Sequence, residues 1–222
     1  MREFKNSRTF CCIILFYYFA GCSTINNQYP RLYIVRRVLR MFICSDFKVK
    51  DLHVQLVMPE LKFASRLLQI INEDRVALER WLPWSKNMRE TSDEREFIKS
   101  ARQNIVDYEG LVLVILVDNQ PAGTIDLHNI NFADKYAEIG YWLGSKFQGQ
   151  GIVTKSLQHL VDIAFKEFKL HKLMLFAEHT NYKSRAVAER ARFSHEALLK
   201  DQVKREDGFK DMDMYSVINP AS

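Results

Sequence analysis

The alternation of hydrophobic and polar positions divides the chain from residue 41 onward into short strands and amphipathic helices. The segment from Lys48 to Val57 alternates loosely, which predicts a strand. A continuous apolar run from Leu111 to Val117 has the length of a strand, and the segment from Ala122 to Leu127 follows it after a turn. These two segments predict a hairpin.

Apolar residues at intervals of three and four predict five helical segments. We expect Pro59 to open the first, since proline is tolerated at the first helical position, and Pro83 to end the short second one. Thr91 is predicted to begin the third through a capping box. The fourth follows Gly151, and the fifth covers Asn181 to about Arg190.

The remaining strands are predicted at Tyr136–Leu143, Leu173–Ala177, Phe193–Leu199 and Phe209–Ile218. The order is one strand, helices, three strands, a helix, a strand, a helix and two strands. It predicts a mixed α/β (α+β) single domain with a mostly antiparallel, seven-stranded sheet and one helical crossover.

Charge separates the first forty residues from the rest. The chain has 222 residues and a net charge of +5, yet residues 1–40 hold seven basic residues and one acid. The body, 41–222, has 25 basic and 26 acidic residues, so its charge gives no support for a nucleic-acid partner and we expect none. All four cysteines precede residue 45, and the histidines lack metal-ligand spacing, so no metal site is predicted.

Residues 1–40 are interpreted as lying outside the fold. A basic start precedes an apolar run over 10–22, and Phe19-Ala20-Gly21-Cys22 approaches a lipoprotein cleavage box. Three interpretations stay open: a misassigned start with the true one at Met41, a genuine signal or lipoprotein anchor, or another extension. We expect the body to be cytoplasmic and not in a membrane; a membrane-anchored lipoprotein follows only if residues 1–40 are genuine.

A glycine-containing loop lies between the strand that ends at Leu143 and the fourth helix. It is the segment Gln148, Gly149, Gln150, Gly151, Ile152, Val153 and Thr154. Glycines let a backbone approach a ligand closely, and a helix N-terminus presents unpaired N–H groups, so the loop is suited to a pyrophosphate. By itself the pattern is weak evidence for a ligand, because a tight turn capping a helix has the same two glycines.

Four further motifs decide between these interpretations. They are Trp81-Leu82-Pro83-Trp84, the strand Gly123–His128, the strand Ala137–Leu143, and Asn181 with Ser184, Val187, Glu189, Arg190 and Phe193. With the loop, they resemble the RimL-type branch of the GNAT acetyltransferases, over nearly all of 41–222. That branch acetylates N-terminal amines of ribosomal proteins.

The resemblance implies a GNAT fold whose sheet is splayed in its middle. It also implies that the enzyme uses acetyl-CoA as cosubstrate. The backbone of Tyr141, Trp142 and Leu143 is then expected to bind the pantetheine arm, with the Leu143 N–H as oxyanion donor. Residues 148–154 are expected to hold the pyrophosphate, and Asn181 the pantetheine. Val153 departs from the small residue that is usual in this loop.

Acetyl transfer also needs a neutral amine and a proton for the departing thiolate. Ser184 is the candidate acid, or else an exposed helix serine. Glu138 is the candidate base, or else a solvent-facing or salt-bridged strand residue. His128 either relays a proton or is only a polar residue at a strand end. Trp84 and Trp81 either line the acceptor site or belong to the core.

Three functions remain open at this stage. The first is N-acetylation of a protein or peptide N-terminus, the second is acetylation of a small amine such as a polyamine or an aminoglycoside, and the third is a non-catalytic acyl-CoA-binding module. A homodimer also stays open. Arg192 stands where the family usually has glycine, and if the backbone there has a positive φ, arginine costs roughly 1 kcal/mol.

Overall fold

A single eight-stranded sheet runs through residues 41–221, the part of the chain that this computed structural model describes. Its strands are β1 (Ile43–Val49), β2 (Leu52–Val57), β3 (Leu111–Val117), β4 (Gln120–Asn131), β5 (Tyr136–Leu143), β6 (Lys172–Glu178), β7 (Ser194–Arg205) and β8 (Gly208–Ile218). The spatial order is β1-β2-β3-β4-β5-β6-β8-β7. The residues from Phe42 onward form one compact unit, and the interpretation of residues 1–40 falls outside the described residues.

Every neighbouring pair of strands is antiparallel except β5 and β6, which are parallel. A parallel pair needs a crossover, and a helix between the two strands supplies it. The predicted α/β class and mostly antiparallel sheet are therefore confirmed.

The predicted number of seven strands is wrong. The single strand expected from Lys48 to Val57 is two strands, β1 and β2, which pair as a hairpin with Val49 opposite Leu52. Lys50 turns the chain with a φ of +54°. The turn shifts the alternation by one position, from Phe47 and Val49 in β1 to Leu52 and Val54 in β2, and this shift marks the turn in the sequence.

Within residues 41–221, five α-helices accompany the sheet: α1 (Ala64–Glu73), α2 (Arg75–Trp81), α3 (Thr91–Val106), α4 (Ile152–Lys166) and α5 (Tyr182–Arg190). Pro59 does not open α1, because a 3-10 turn at Leu61–Phe63 intervenes. The predicted start of α3 at Thr91 and its capping box are confirmed, but the box is formed by Glu90 at the N-cap and by Asp93, whose carboxylate accepts the N–H groups of Arg89 and Glu90 at 2.9 and 2.8 Å. None of the described helices is long and apolar enough to cross a membrane.

The core lies along the middle strands of the sheet and the helices α1 and α4 that pack on β4. Its largest fully buried side chains include Leu113, Ile115, Ile125, Leu127 and Leu157. Burying an aliphatic side chain of this size contributes about 1.5–3 kcal/mol. A well-packed central sheet therefore supports β4 and β5, the strands that carry the candidate site.

The backbone at position 192 does have the positive φ on which the cost of an arginine there depends. Arg192 has a φ of +68° directly after α5, and its N–H donates to the carbonyl of Glu189 at 3.0 Å. A left-handed residue commonly follows a helix in this way, and glycine is the residue that adopts it without a steric cost. The arginine is therefore held in a strained conformation.

Candidate active site

Strands β5 and β6 separate in the middle of the sheet. They pair from Tyr136 opposite Lys172 to Ile139 opposite Leu175, and no further. Both continue beyond that point, β5 to Leu143 and β6 to Glu178. Their facing backbone groups beyond Ile139 are therefore not joined to each other, and an opening runs into the sheet.

Leu143 directs its backbone groups toward this opening. The N–H of the next residue, Gly144, donates to the carbonyl of Ala122 on β4 at 2.8 Å. The backbone N–H and C=O groups of successive residues in a strand point to opposite sides, so those of Leu143 point away from β4. The Leu143 carbonyl faces away from β4 in keeping with this, since it accepts the side-chain amide of Gln148 at 2.9 Å. The N–H expected to stabilise an oxyanion thus lies along the edge where β5 and β6 diverge.

The loop from Gln148 to Thr154 needs its glycines for conformational reasons. Gly149 has a φ of +74° and Gly151 a φ of +88°. Gly151 is the N-cap of α4, and a Cβ added at Gly149 would meet no atom within 4 Å. The space in front of Gly149 is therefore open, so a phosphate can approach the N-terminus of α4.

The other residues of the loop have distinct places. The Ile152 side chain is 1% exposed and belongs to the core, so only its backbone can face a ligand. The side-chain amide of Gln150 donates to the carbonyl of Lys146 at 3.4 Å and ties the loop to the preceding turn. Val153 and Thr154 are half-buried on the first turn of α4.

A cavity of about 260 Å³ opens beside this helix N-terminus. Gly151, Thr154, Lys155, Lys48 and Arg190 line it. Three of these side chains are cationic, and they converge on the positive end of the helix dipole. The residues present therefore fit the phosphates of acetyl-CoA.

Asn181 and Ser184 meet at the start of α5. The Asn181 side-chain oxygen accepts the backbone N–H of Ser184 at 3.2 Å and caps the helix. Ser184 is half-buried, and its Oγ lies 2.8 Å from the hydroxyl of Tyr141 on β5. The interpretation of Ser184 as an exposed helix serine is therefore wrong.

Sequence reasoning assigned Tyr141 only a backbone role. Burial raises the pKa of its hydroxyl to about 12, so the group keeps its proton at neutral pH. It also lies within 3.3 Å of the Ser184 carbonyl. The available signal was the alternation of β5, which points Tyr141 and Trp142 to opposite faces of the sheet.

The face of β4 and β5 that lies opposite to the Tyr141 side chain carries a hydrogen-bonded cluster of ionisable groups. His128 Nδ1 lies 2.7 Å from Asp126 Oδ1, and His128 Nε2 lies 3.6 Å from Glu138 Oε2. The side-chain amide of Asn129 donates to Glu138 at 3.1 Å. The Asp126 hydrogen bond raises the pKa of His128 and makes the imidazole a stronger base.

Strand pairing explains how this cluster forms. His128 is paired with Glu138 and Asp126 with Gly140. A Cβ at position 140 would lie 2.8 Å from an Asp126 carboxylate oxygen, so the glycine provides the space that this carboxylate occupies. The prediction that His128 lies at the end of its strand is wrong, because β4 continues to Asn131.

Two tryptophans lie on the same face as Glu138. The rings of Trp84 and Trp142 are tilted by 56° with their centroids 6.2 Å apart. Trp142 is 6% exposed, whereas Trp84 is 38% exposed. Trp142 is thus part of the core, and Trp84 is the aromatic surface available beside the opening.

The acidic residues of α1, α2 and the turn between them are already paired. Glu73 accepts Lys146 at 2.9 Å, and Asp74 accepts the backbone N–H and the hydroxyl of Ser145 at 2.5 and 2.6 Å. Glu79 is flanked by two arginines, at 3.5 and 3.6 Å. These carboxylates are committed to structural contacts.

The splayed sheet, the glycine loop and the cationic cavity together define an acyl-CoA-dependent transferase. The sequence profile of the acetyltransferase (GNAT) domain matches residues 54–194, and the chain belongs to this family. It is a GNAT N-acetyltransferase that uses acetyl-CoA as cosubstrate. The described residues contain no cluster of side chains suited to a metal ion.

Individual relatives cover most of the chain. YdaF of Bacillus subtilis (strain 168), named provisionally as a ribosomal N-acetyltransferase, is 34% identical over 179 residues, which cover 80% of this chain and 96% of YdaF. The microcin C7 self-immunity acetyltransferase MccE, in a complex with acetyl-CoA and AMP, is 30% identical, with a TM-score of 0.73 over 79% of this chain and 97% of that one. RimL, a ribosomal L7/L12 α-N-protein acetyltransferase in complex with coenzyme A, is 25% identical, with a TM-score of 0.74 over 80% of this chain and all of RimL.

Proposed function

We propose that this enzyme acetylates the N-terminal amine of a protein, with ribosomal proteins as the first substrates to test. The observation that carries the proposal is the likeness to YdaF and RimL along almost their entire lengths. The opening between β5 and β6 supports it, because the two faces of the sheet offer separate groups for the amine and for the thiol.

On the face of Trp84, we assign deprotonation of the amine to His128 and Glu138. Asp126 acts as a positioning residue, since its carboxylate at 2.7 Å holds the Nδ1 proton of His128 and leaves Nε2 directed at Glu138. An ammonium group entering beside Trp84 gives its proton to Nε2 or, through water, to Glu138. The amine is then neutral and able to attack.

On the face of α5, we assign protonation of the departing thiolate to Ser184. Acetyl-CoA supplies the acetyl group as a reactive thioester. If Tyr141 donates to Ser184 Oγ across their 2.8 Å contact, the serine proton can point into the opening. The backbone N–H of Leu143 is the donor we assign to the thioester oxygen.

The paired carboxylates argue against a polyamine as the principal substrate. A polyamine carries several positive charges, and its recognition needs unpaired acids. Glu73, Asp74 and Glu79 already accept hydrogen bonds or ion pairs from this chain. Since acetyl-CoA is a cytoplasmic metabolite, we also propose that the reaction takes place in the cytoplasm.

The test uses the full-length enzyme with isotopically labelled acetyl-CoA and three acceptors: purified ribosomal proteins, the same proteins with blocked N-termini, and spermidine. We expect label at the N-terminal residue of one or a few unblocked proteins, located by mass spectrometry. Equal labelling of blocked proteins would place the reaction on lysine side chains and contradict the proposal. Faster turnover of spermidine than of any protein would identify a small-amine acetyltransferase.

A further inference from the structure

The strained Arg192 lies in the cleft between α4 and the end of α5. With Ala191 it lines a cavity of about 380 Å³, whose opposite wall is formed by Gln158, Val161 and Asp162 of α4. A residue held in the left-handed region costs folding energy, and such residues often occur where a side chain has a task. The conformation therefore raises the question of what the guanidinium binds.

The cleft adjoins the phosphate site at the start of α4. Gln158 lines both the cavity of Arg192 and the cavity that contains Lys48, Lys155 and Arg190. Gln158 lies about 10 Å along the helix axis from Gly151, at 1.5 Å per residue. A ligand bound at the glycine loop thus has a cationic path along α4 toward Arg192.

The described part of the chain does not neutralise the charges along this path. Within residues 41–221, the ion pairs of the structure are formed by side chains other than Lys48, Lys155, Arg190 and Arg192. The single acid that lines the path, Asp162, is paired with Lys166 at 3.0 Å. Four cations that share one cleft repel each other unless an anion binds among them.

Acetyl-CoA carries such an anion beyond its pyrophosphate. The ribose at the nucleotide end has a 3′-phosphate, one sugar ring away from the pyrophosphate that the glycine loop is suited to hold. The planar guanidinium of arginine matches the oxygens of a phosphate with two parallel hydrogen bonds. We propose that Arg192, together with Arg190, binds the 3′-phosphate of coenzyme A.

This assignment rests on the use of acetyl-CoA and not on the identity of the acceptor amine. It gives the enzyme a way to distinguish coenzyme A from pantetheine thioesters that lack the 3′-phosphate. Arg192 is exposed, so the contact is screened by salt and its contribution is moderate. The discrimination should therefore weaken as the ionic strength rises.

The experiment compares coenzyme A with 3′-dephospho-coenzyme A by titration calorimetry on the full-length chain. We expect the parent enzyme to bind coenzyme A about tenfold more tightly, the effect of one or two charge-assisted hydrogen bonds at an exposed site. In Arg192→Asn, which tolerates the left-handed backbone but has no charge, the ratio should fall to about threefold or less. Arg192→Lys should keep part of the difference.

Lys169 provides a matched control, because it is also a cation in the left-handed region, with a φ of +57°, and it lines neither cavity. Lys169→Asn should leave the ratio at the parent value. If Arg192→Asn keeps the parent ratio, the arginine is merely tolerated after α5 and the proposal is wrong. If Arg192→Asn and Lys169→Asn lower the ratio equally, the effect comes from the fold and the proposal is wrong as well.

Discussion

The hydroxyl groups of Tyr141 and Ser184 lie 2.8 Å apart although the two residues are 43 positions apart in the sequence. Tyr141 comes from the strand that borders the opening, and Ser184 from the first turn of the helix that follows β6. Their contact makes the candidate acid part of a pair rather than a single side chain.

Ser184→Ala should lower kcat and leave the affinity for acetyl-CoA nearly unchanged. The donated proton matters most as the C–S bond breaks, so its loss appears mainly in the transition state. A general acid contributes roughly 10²–10⁴-fold, and we expect the lower end because water reaches the open cleft. Steady-state kinetics measure this, with Ser100→Ala on the exposed face of α3 as control. A Ser184→Ala enzyme with the parent kcat would remove Ser184 from the mechanism.

Tyr141→Phe tests whether the tyrosine hydroxyl assists Ser184 in protonating the thiolate. If Tyr141 orients the Ser184 hydroxyl, its loss should lower kcat by a smaller factor than Ser184→Ala. The double variant should then be no slower than Ser184→Ala, because both changes remove one function. Additive losses in a double-mutant cycle would mean that the two hydroxyls act independently.

Glu138→Gln and Asp126→Asn should change the pH dependence of kcat/KM. If Glu138 is the base, the defect of Glu138→Gln should shrink as pH rises and more of the amine is already neutral. The Asp126 hydrogen bond raises the pKa of His128, so Asp126→Asn should move the acidic limb of the profile to lower pH. A variant that matches the parent profile at every pH has no part in proton transfer.

Gly151→Glu should abolish binding of acetyl-CoA. A side chain at this position is strained by the positive φ and places a negative charge at the helix N-terminus, where the phosphates are expected. Calorimetry tests this on protein whose folding is verified by circular dichroism. Gly208→Glu is the control, since Gly208 also has a positive φ, +114°, and begins β8 directly after the turn from β7. Unchanged affinity in folded Gly151→Glu would contradict the assignment of the loop.

Glu94 should make the fold less stable as pH rises. It is 2% exposed on α3, and burial raises its pKa from 4.5 to about 7. Between these values the unfolded chain loses the proton while the folded chain keeps it, so the free energy of unfolding falls across this range and levels off above pH 7. The loss amounts to about 3 kcal/mol in order of magnitude.

Urea unfolding at pH 5 and pH 8 measures this effect. Glu94→Gln should flatten the pH dependence and be the more stable protein at pH 8. Glu96→Gln, at an exposed position of the same helix, should keep the parent dependence. An equal pH response in all three proteins would mean that Glu94 is ionised in the folded state.

The segment Met41–Ser222 should fold and bind acetyl-CoA without residues 1–40. The residues from Phe42 onward form one compact unit with a continuous sheet. Thermal unfolding and calorimetry on this segment, compared with the full chain, measure both properties. Loss of binding in the segment alone would assign residues 1–40 a role in the active enzyme.

Much of the fold could be predicted because the periodicity of side chains is local. The strands Leu111–Val117 and Tyr136–Leu143 were predicted with their observed bounds, and the glycine loop was correctly placed directly before a helix. The start of the sheet was mispredicted, since the one-position shift of the alternation between Val49 and Leu52 was taken for loose alternation within a single strand. The predicted helix start at Pro59 was wrong for another reason, because proline is compatible both with the first turn of an α-helix and with the approach to a 3-10 turn.

The sequence by itself determined the family, the glycine loop and the identity of the candidate residues, since these depend on motifs within short stretches of chain. Only the tertiary structure decided which of them meet. Strand pairing places His128 opposite Glu138 and Asp126 over Gly140, and the crossover through α4 brings Ser184 to Tyr141. Contacts across a sheet depend on register and on the path of the chain between strands, and a local sequence pattern encodes neither.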